Sequence, residues 1–130
     1  MTAATENVGA RILIIEDSPV NMKLASDVLE AEGFVIQQAV DAEQALALLE
    51  HWTPDLVLTD IALPGMDGLG LTRKLKSDPR LGRIPIVALT AFAMKGDEQK
   101  ARAAGCDGYI TKPIQTRELG RQIREFLVPT

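Results

Sequence analysis

The sequence lacks most of the features that mark a secreted or a nucleic-acid-binding protein. One cysteine among 130 residues cannot form an internal disulfide. Five aromatic residues, namely three Phe, one Trp and one Tyr, are too few for the stacking surfaces that bind single strands. A net charge of −4 argues against a basic face for phosphates. We therefore expect no nucleic acid among the partners.

Long hydrophobic runs are absent as well. The longest strictly apolar run, Ala45 to Leu49, is far below the ~20 residues that a membrane span needs. Residues 1–9 carry no apolar stretch, so we expect a flexible tail there rather than a secretory signal. The remaining residues, 10–130, have the length of a single domain. We expect a cytoplasmic protein without membrane contact.

Short apolar runs alternate with amphipathic stretches five times along the chain. The predicted strands cover residues 12–15, 34–39, 56–60, 84–89 and 109–110. The predicted helices cover about 19–32, 42–50, 69–76, 92–104 and 116–127. Ser18 and Asp41 are typical helix N-caps, and Gly33 and Gly105 are typical of helix ends.

This alternation predicts an α/β fold of the flavodoxin-like type. Five (βα) units form a doubly wound, five-stranded parallel sheet with strand order 2-1-3-4-5 and helices on both faces. In such sheets ligands bind beyond the carboxyl ends of the strands, where the strand order reverses. The residues that follow the strands are therefore the candidates for function.

Charged and hydroxyl groups stand at these strand ends. Glu16 and Asp17 follow the first strand, Asp60 ends the third, Thr90 follows the fourth, and Lys112 follows the fifth. Strands one and three are neighbours, so the three acids should crowd together, and a hard cation such as Mg²⁺ would relieve their repulsion. The alternative is that each acid is a solvated loop residue, which any one of them alone would favour.

The type of phosphate chemistry follows by elimination. The chain lacks the GxxxxGK[ST] P-loop. The turn after the first strand is not glycine-rich, so the dinucleotide fingerprint is absent too. A carboxylate nucleophile remains, which would attack a phosphoryl group to form an aspartyl-phosphate. The metal, the lysine and the threonine hydroxyl would stabilise the phosphoryl oxygens.

An ordered set of motifs resembles the CheY-like receiver domain of bacterial response regulators, from about Arg11 to Leu127. The motifs are Ile-Ile-Glu-Asp at 14–17, Leu-Thr-Asp-Ile-Ala-Leu-Pro-Gly-Met-Asp-Gly at 58–68, Leu-Thr-Ala at 89–91 and Tyr-Ile-Thr-Lys-Pro at 109–113. Within the family, segments 16–23 and 90–98 are similar to single-domain regulators of cell division and polarity.

The resemblance implies a phosphoacceptor and a metal site. Asp60 is the implied phosphoacceptor. The implied ligands of Mg²⁺ (or Mn²⁺) are Asp17, Asp60 and the backbone carbonyl of Ala62, with Glu16 acting through a water. The pair Glu16-Asp17 departs from the Asp-Asp pattern, so the first acid is one methylene longer.

The resemblance also implies a switch. Lys112 would bind the phosphoryl group, and its bond to Pro113 is expected to be cis. Thr90 would move its hydroxyl onto the phosphoryl group, and Tyr109 would turn inward with it. The surface formed by helix four, strand five and helix five would then change its affinity for partners.

The implied function is a phosphorelay regulator without turnover chemistry. We expect a histidine kinase or a histidine phosphotransfer protein as the phosphoryl source, and one or more target proteins downstream. Three residues follow Leu127, so we expect output through partners. We also expect a monomer, with a dimer as the alternative.

Other interpretations of the sequence remain open. The chain could be a fragment of a larger regulator, or a pseudo-receiver that binds partners without phosphorylation. A phosphatase of the haloacid-dehalogenase type would need a second aspartate at position 62, where this chain has Ala62. Cys106 is expected to be a small, partly buried residue without redox function.

Overall fold

A computed structural model describes residues 9–61, 68–90 and 97–127 of the chain. Strands and helices alternate in these ranges, as predicted. The strands are β1 (Arg11–Ile15), β2 (Val35–Ala39), β3 (Leu56–Asp60), β4 (Ile86–Thr90) and β5 (Gly108–Thr111). The helices are α1 (Pro19–Ala31), α2 (Ala42–Leu49), α3 (Gly68–Ser77), α4 (Asp97–Ala104) and α5 (Leu119–Phe126).

All strand pairs are parallel, and the sheet order is β2-β1-β3-β4-β5. The predicted fold and strand order are thereby confirmed. Ile15 pairs with Thr59, and Asp60 pairs with Leu89. Because parallel strands run in the same direction, their carboxyl ends meet at one edge of the sheet.

Two hydrophobic layers cover the sheet, one on each face. Alternate residues of every buried strand point to opposite faces, so Ile12 and Ile14 pack towards α1 and α5. Leu13 and Ile15 join the layer that includes residues of α2, α3 and α4. The central strands β3 and β4 are completely buried. This rigid, dry sheet fixes the positions of the side chains at its edge.

Local capping explains where several helices begin and end. The Ser18 hydroxyl accepts a hydrogen bond from the Asn21 N–H at 3.4 Å, and the Asp41 carboxylate accepts one from the Gln44 N–H at 2.8 Å. Gly33 and Gly105 follow α1 and α4 with positive φ angles of 97° and 111°, a conformation that glycine adopts without steric cost.

Within the described residues, two boundaries differ from the sequence-based prediction by more than one residue, whereas the predicted start of the fourth helix at residue 92 lies outside the described residues. The fourth strand begins at Ile86 rather than residue 84, because Pro85 lacks an N–H and Ile84 instead donates to the Leu81 carbonyl in a turn. The fifth helix begins at Leu119 rather than 116. The Glu118 and Leu119 N–H groups both donate to the Gln115 carbonyl, and Glu118 makes no side-chain cap.

Among residues 9–61, 68–90 and 97–127, no helix has both the length and the apolar composition that are needed to cross a membrane.

Candidate functional site

Three carboxylates meet at the carboxyl edge of the sheet, beyond β1 and β3. Glu16, Asp17 and Asp60 each place a carboxylate oxygen within 4.8 Å of the others. Glu16 and Asp60 are buried, whereas Asp17 is exposed. The two acids that follow β1 are thus brought next to the acid that ends β3, because these strands are direct neighbours in the sheet.

Lys112 connects the two buried carboxylates. Its ammonium nitrogen lies 2.6 Å from Glu16 Oε1 and 2.8 Å from Asp60 Oδ2. The backbone N–H of Lys112 donates to the Thr90 carbonyl at 2.7 Å, which ties the residue to the end of β4. The peptide bond between Lys112 and Pro113 is cis.

This crowding shifts the protonation equilibria of the site. Burial, followed by the close approach of the Asp60 carboxylate, raises the pKa of Glu16 from 4.5 to about 7, against the lowering effect of Lys112. Burial alone would lower the pKa of Lys112, but hydrogen bonds to Asp60 and Glu16 outweigh it and raise that pKa. The ammonium is therefore held in its charged form between two acids.

The donor set suits a hard divalent cation. Glu16 Oε2 is buried and has no hydrogen-bond partner among the described residues, a costly arrangement unless another donor or a cation completes it. Two aspartates and one glutamate supply only oxygen atoms, which Mg²⁺ prefers. The expected backbone ligand, Ala62, lies outside the described residues.

The two expected switch residues lie on β4 and β5, Thr90 at the carboxyl edge and Tyr109 two residues before the end of its strand. Thr90 is completely buried at the end of β4, one strand away from Asp60. Tyr109 is half-buried on β5, where it packs against the hydrophobic layer shared with α2 and α3. It also lines a cleft of about 390 Å³. The other lining residues come from α4, β5, the turn before α5 and α5 itself: Glu98, Ile110, Thr111, Gln115, Glu118 and Gln122.

Two features of the site were not expected from the sequence. The sequence-based prediction assigns Lys112 to the phosphoryl group alone and does not include its direct contact with Glu16. Gly68 lies just before the predicted third helix, but the structure places it at the start of that helix, packed tightly against the backbone of Asp60. Its place at the start of a helix shortly after a buried strand was the only available signal.

The fold and the acidic edge agree with the chain's similarity to known proteins. The family model for the response regulator receiver domain matches residues 12–124. The chain belongs to this family and is a receiver domain of two-component signalling. The predicted family is thereby confirmed.

Similarity to individual proteins indicates which kind of response regulator the chain resembles. The chain is 44% identical over 116 residues to the polar-differentiation response regulator DivK of Brucella anthropi, covering 89% of this chain and 94% of that protein. The predicted similarity to single-domain polarity regulators is thus confirmed.

Solved structures show the same architecture. The receiver domain of a Pseudomonas aeruginosa sensor histidine kinase superimposes with a TM-score of 0.84 at 34% identity, covering 92% of this chain and 98% of that one. That structure has a magnesium ion coordinated in its active-site cleft. The chemotaxis response regulator CheY4 of Vibrio cholerae gives a TM-score of 0.87 at 24% identity, with 92% and 100% coverage. The latter comparison supports the fold.

Proposed function

We propose that this receiver domain, spanning residues 10–130, accepts a phosphoryl group on Asp60 in a Mg²⁺-dependent reaction. The observation that carries the proposal is the contact of the Asp60 carboxylate with Lys112 at 2.8 Å inside a cluster of three acids. An anionic nucleophile is thereby placed beside the cation that can receive the incoming phosphoryl oxygens.

Asp60 is the best nucleophile of the three acids. The Glu16 side chain is only 1% exposed, compared with 8% for Asp60, and the raised pKa of Glu16 leaves it partly protonated at neutral pH. Asp17 is exposed and makes no ion pair with Lys112 at the distances observed for the other two acids. Asp60 alone combines access with a direct cationic contact.

The transfer step is a substitution at phosphorus. An Asp60 carboxylate oxygen forms the new P–O bond while the P–N bond of a phosphohistidine breaks, and the bonding pair leaves with the imidazole nitrogen. Lys112 stabilises the charge on the phosphoryl oxygens. When bound, Mg²⁺ would neutralise further negative charge there, held by Asp17 and Asp60, the carbonyl of Ala62, and Glu16 through a water.

The new phosphoryl group would compete for Lys112, which Asp60 and Glu16 share before the reaction. Thr90 stands at the end of the adjacent strand and offers a hydroxyl to the phosphoryl oxygens. Its movement would make room for Tyr109, whose ring borders the cleft of about 390 Å³ between α4, β5 and α5. This surface is the proposed output face, on which a partner senses the charge change.

The proposed partners are a histidine kinase or a histidine phosphotransfer protein and one or more target proteins. We propose a cytoplasmic regulator that assists its own phosphorylation and dephosphorylation without turning over other substrates.

Intact-mass measurement after incubation with Mg²⁺ and a small phosphodonor tests this function. Wild-type protein should gain one phosphoryl group that is labile in base, and EDTA should prevent the gain. Asp60→Asn should gain none. Asp27→Asn is the matched control, because Asp27 lies on α1 in an exposed pair with Lys23, and it should behave like the wild type.

Other results would change the assignment. Folded wild-type protein that accepts no phosphoryl group from any donor would favour a phosphorylation-independent interaction module. Multiple turnovers of phosphate release from a simple phosphoester would favour a phosphatase.

A further inference from the structure

Gly68, the first residue of α3, packs directly on the backbone at the end of β3. A methyl carbon on its Cα would lie 2.3 Å from the Asp60 carbonyl oxygen and 2.5 Å from the Ile61 Cα. Both distances are far inside van der Waals contact, which for carbon atoms begins near ~3.5 Å. Only a residue without a side chain allows α3 to approach the strand this closely.

One hydrogen bond ties Gly68 to the residue that follows β3, and a second fixes its carbonyl within α3. Its N–H donates to the Ile61 carbonyl at 3.1 Å, and its own carbonyl accepts from the buried Thr72 hydroxyl at 2.7 Å. The Thr59 hydroxyl donates to the Asp60 carbonyl at 3.1 Å. The peptide that follows Asp60 is therefore enclosed between the helix start and the side chain of the preceding strand residue.

We propose that Gly68, whose carbonyl is held by Thr72, is a positioning residue. It fixes the position of the Asp60 backbone at the end of β3 and thereby the distance from the Asp60 carboxylate to Lys112. The inference rests on the proposed function only in taking Asp60 as the phosphoacceptor. Neither Gly68 nor Thr72 touches the reacting atoms in this arrangement.

A side chain at position 68 would have to displace the backbone by about 1 Å to reach ordinary contact. A shift of that size at Asp60 is larger than the range of about 0.5 Å over which a hydrogen bond such as its 2.8 Å contact with Lys112 stays favourable. Reactive groups misplaced by about 1 Å lose on the order of 100-fold in rate. The effect on phosphorylation should therefore exceed the effect on folding.

Gly68→Ala tests the proposal, with Gly82→Ala as the matched control. A methyl carbon at Gly82 would also collide with backbone, 2.8 Å from the Lys76 carbonyl oxygen, but this turn lies after α3, away from the carboxyl edge of the sheet. Gly68→Ala should slow phosphoryl acceptance by about 100-fold and shift the NMR resonances of the Asp60 carboxyl carbon and the Lys112 ammonium. Gly82→Ala should leave both readouts within about twofold of wild type at a comparable loss of stability.

Thr72 provides a second pair of variants, in case Gly68→Ala fails to fold. Thr72→Val removes the hydroxyl that holds the Gly68 carbonyl and should move the same two resonances in the same direction, by less. Thr72→Ser keeps the hydroxyl and should restore them.

The outcomes separate this proposal from the proposed function. A folded Gly68→Ala protein with wild-type phosphorylation and unshifted Asp60 and Lys112 resonances would overturn it, as would equal losses in Gly82→Ala. If the wild type takes up no phosphoryl group, the proposed function fails, and the two resonances alone decide whether Gly68 positions Asp60.

Discussion

The two ends of the sheet each contain a lysine paired with a carboxylate. The two pairs differ in whether all of their buried polar atoms have hydrogen-bond partners. At the amino end, Lys76 Nζ lies 2.7 Å from Asp107 Oδ2 and 3.0 Å from the Ile84 carbonyl oxygen. The same Asp107 oxygen accepts the Ile86 N–H at 2.8 Å. At the carboxyl end, Lys112 is shared by Glu16 and Asp60, and Glu16 Oε2 remains without a partner among the described residues.

This difference separates a structural pair from a functional one. The Lys76–Asp107 pair ties the end of α3 to the starts of β4 and β5, and both side chains also form hydrogen bonds with the backbone. The Lys112 pair leaves buried negative charge that a cation or a phosphoryl group can rearrange. Buried polar atoms without hydrogen-bond partners lower the stability of the fold, and such atoms are common at functional sites.

The largest expected effect concerns exchange of the two lysines for a neutral residue. Lys112→Gln should slow phosphoryl acceptance on the order of 100-fold, because one preorganised cationic donor is lost. Lys76→Gln should leave the rate within about twofold of wild type, since Lys76 lies at the opposite end. Phosphorylation time courses by intact mass measure both. Equal losses in both variants would show that the two ends do not differ in this way.

At the amino end, Asp107→Ala should instead lower stability. Lys76 loses its ion pair and the Ile86 N–H loses its acceptor, which together cost about 2 kcal/mol. Asp27→Ala, which breaks the exposed pair with Lys23, should change the free energy of unfolding by less than about 1 kcal/mol. Urea denaturation measures both values. An Asp107→Ala protein as stable as Asp27→Ala would contradict the structural assignment.

The buried Glu16 at the carboxyl end of the sheet should make the free energy of unfolding depend on pH. Burial, with the close approach of the Asp60 carboxylate, raises the pKa of Glu16 from 4.5 to about 7, so the folded state binds this proton more tightly than the unfolded state does. Without metal, the contribution to stability is complete below pH 4.5 and is lost as the pH rises through about 7.

Glu16→Gln should remove that loss. In EDTA, the variant should match the wild type at low pH and exceed its free energy of unfolding by about 1–2 kcal/mol at pH 8. Mg²⁺ should then stabilise the wild type more than the variant. If the free energies of unfolding of the two proteins differ by the same amount at every pH in this range, the expected destabilisation by Glu16 is refuted.

The smallest expected effect concerns Cys106, which precedes Asp107 at the amino end. Burial raises the pKa of its thiol, against the lowering effect of its contact with Thr72 at 3.7 Å. The thiol should therefore react slowly with a disulfide reagent at pH 8 and rapidly after denaturation. Cys106→Ala should cost no more than about 1 kcal/mol. Fast labelling of the native protein would show that this end opens readily.

Much of the fold could be predicted because its signals are local. The caps at Ser18 and Asp41 and the glycines at 33 and 105 stand where the structure uses them. Residues 116–118 were wrongly assigned to the fifth helix, because no pattern distinguishes that turn from a first helical turn. A proline at position 85 disfavours a regular strand at that point, but only the hydrogen bond of Ile84 shows that the strand begins two residues later.

The sequence by itself determined the parallel sheet, its strand order and the gathering of Glu16, Asp17 and Asp60, because hydrophobic periodicity is local and parallel strands end at one edge. Only the tertiary structure decided that Lys112 meets Glu16, 96 positions away in the chain, and that one Glu16 oxygen finds no partner within the described part of the chain. It likewise decided that α3 rests on the Asp60 backbone. These contacts depend on distances set by packing between distant elements, which no spacing along the chain encodes.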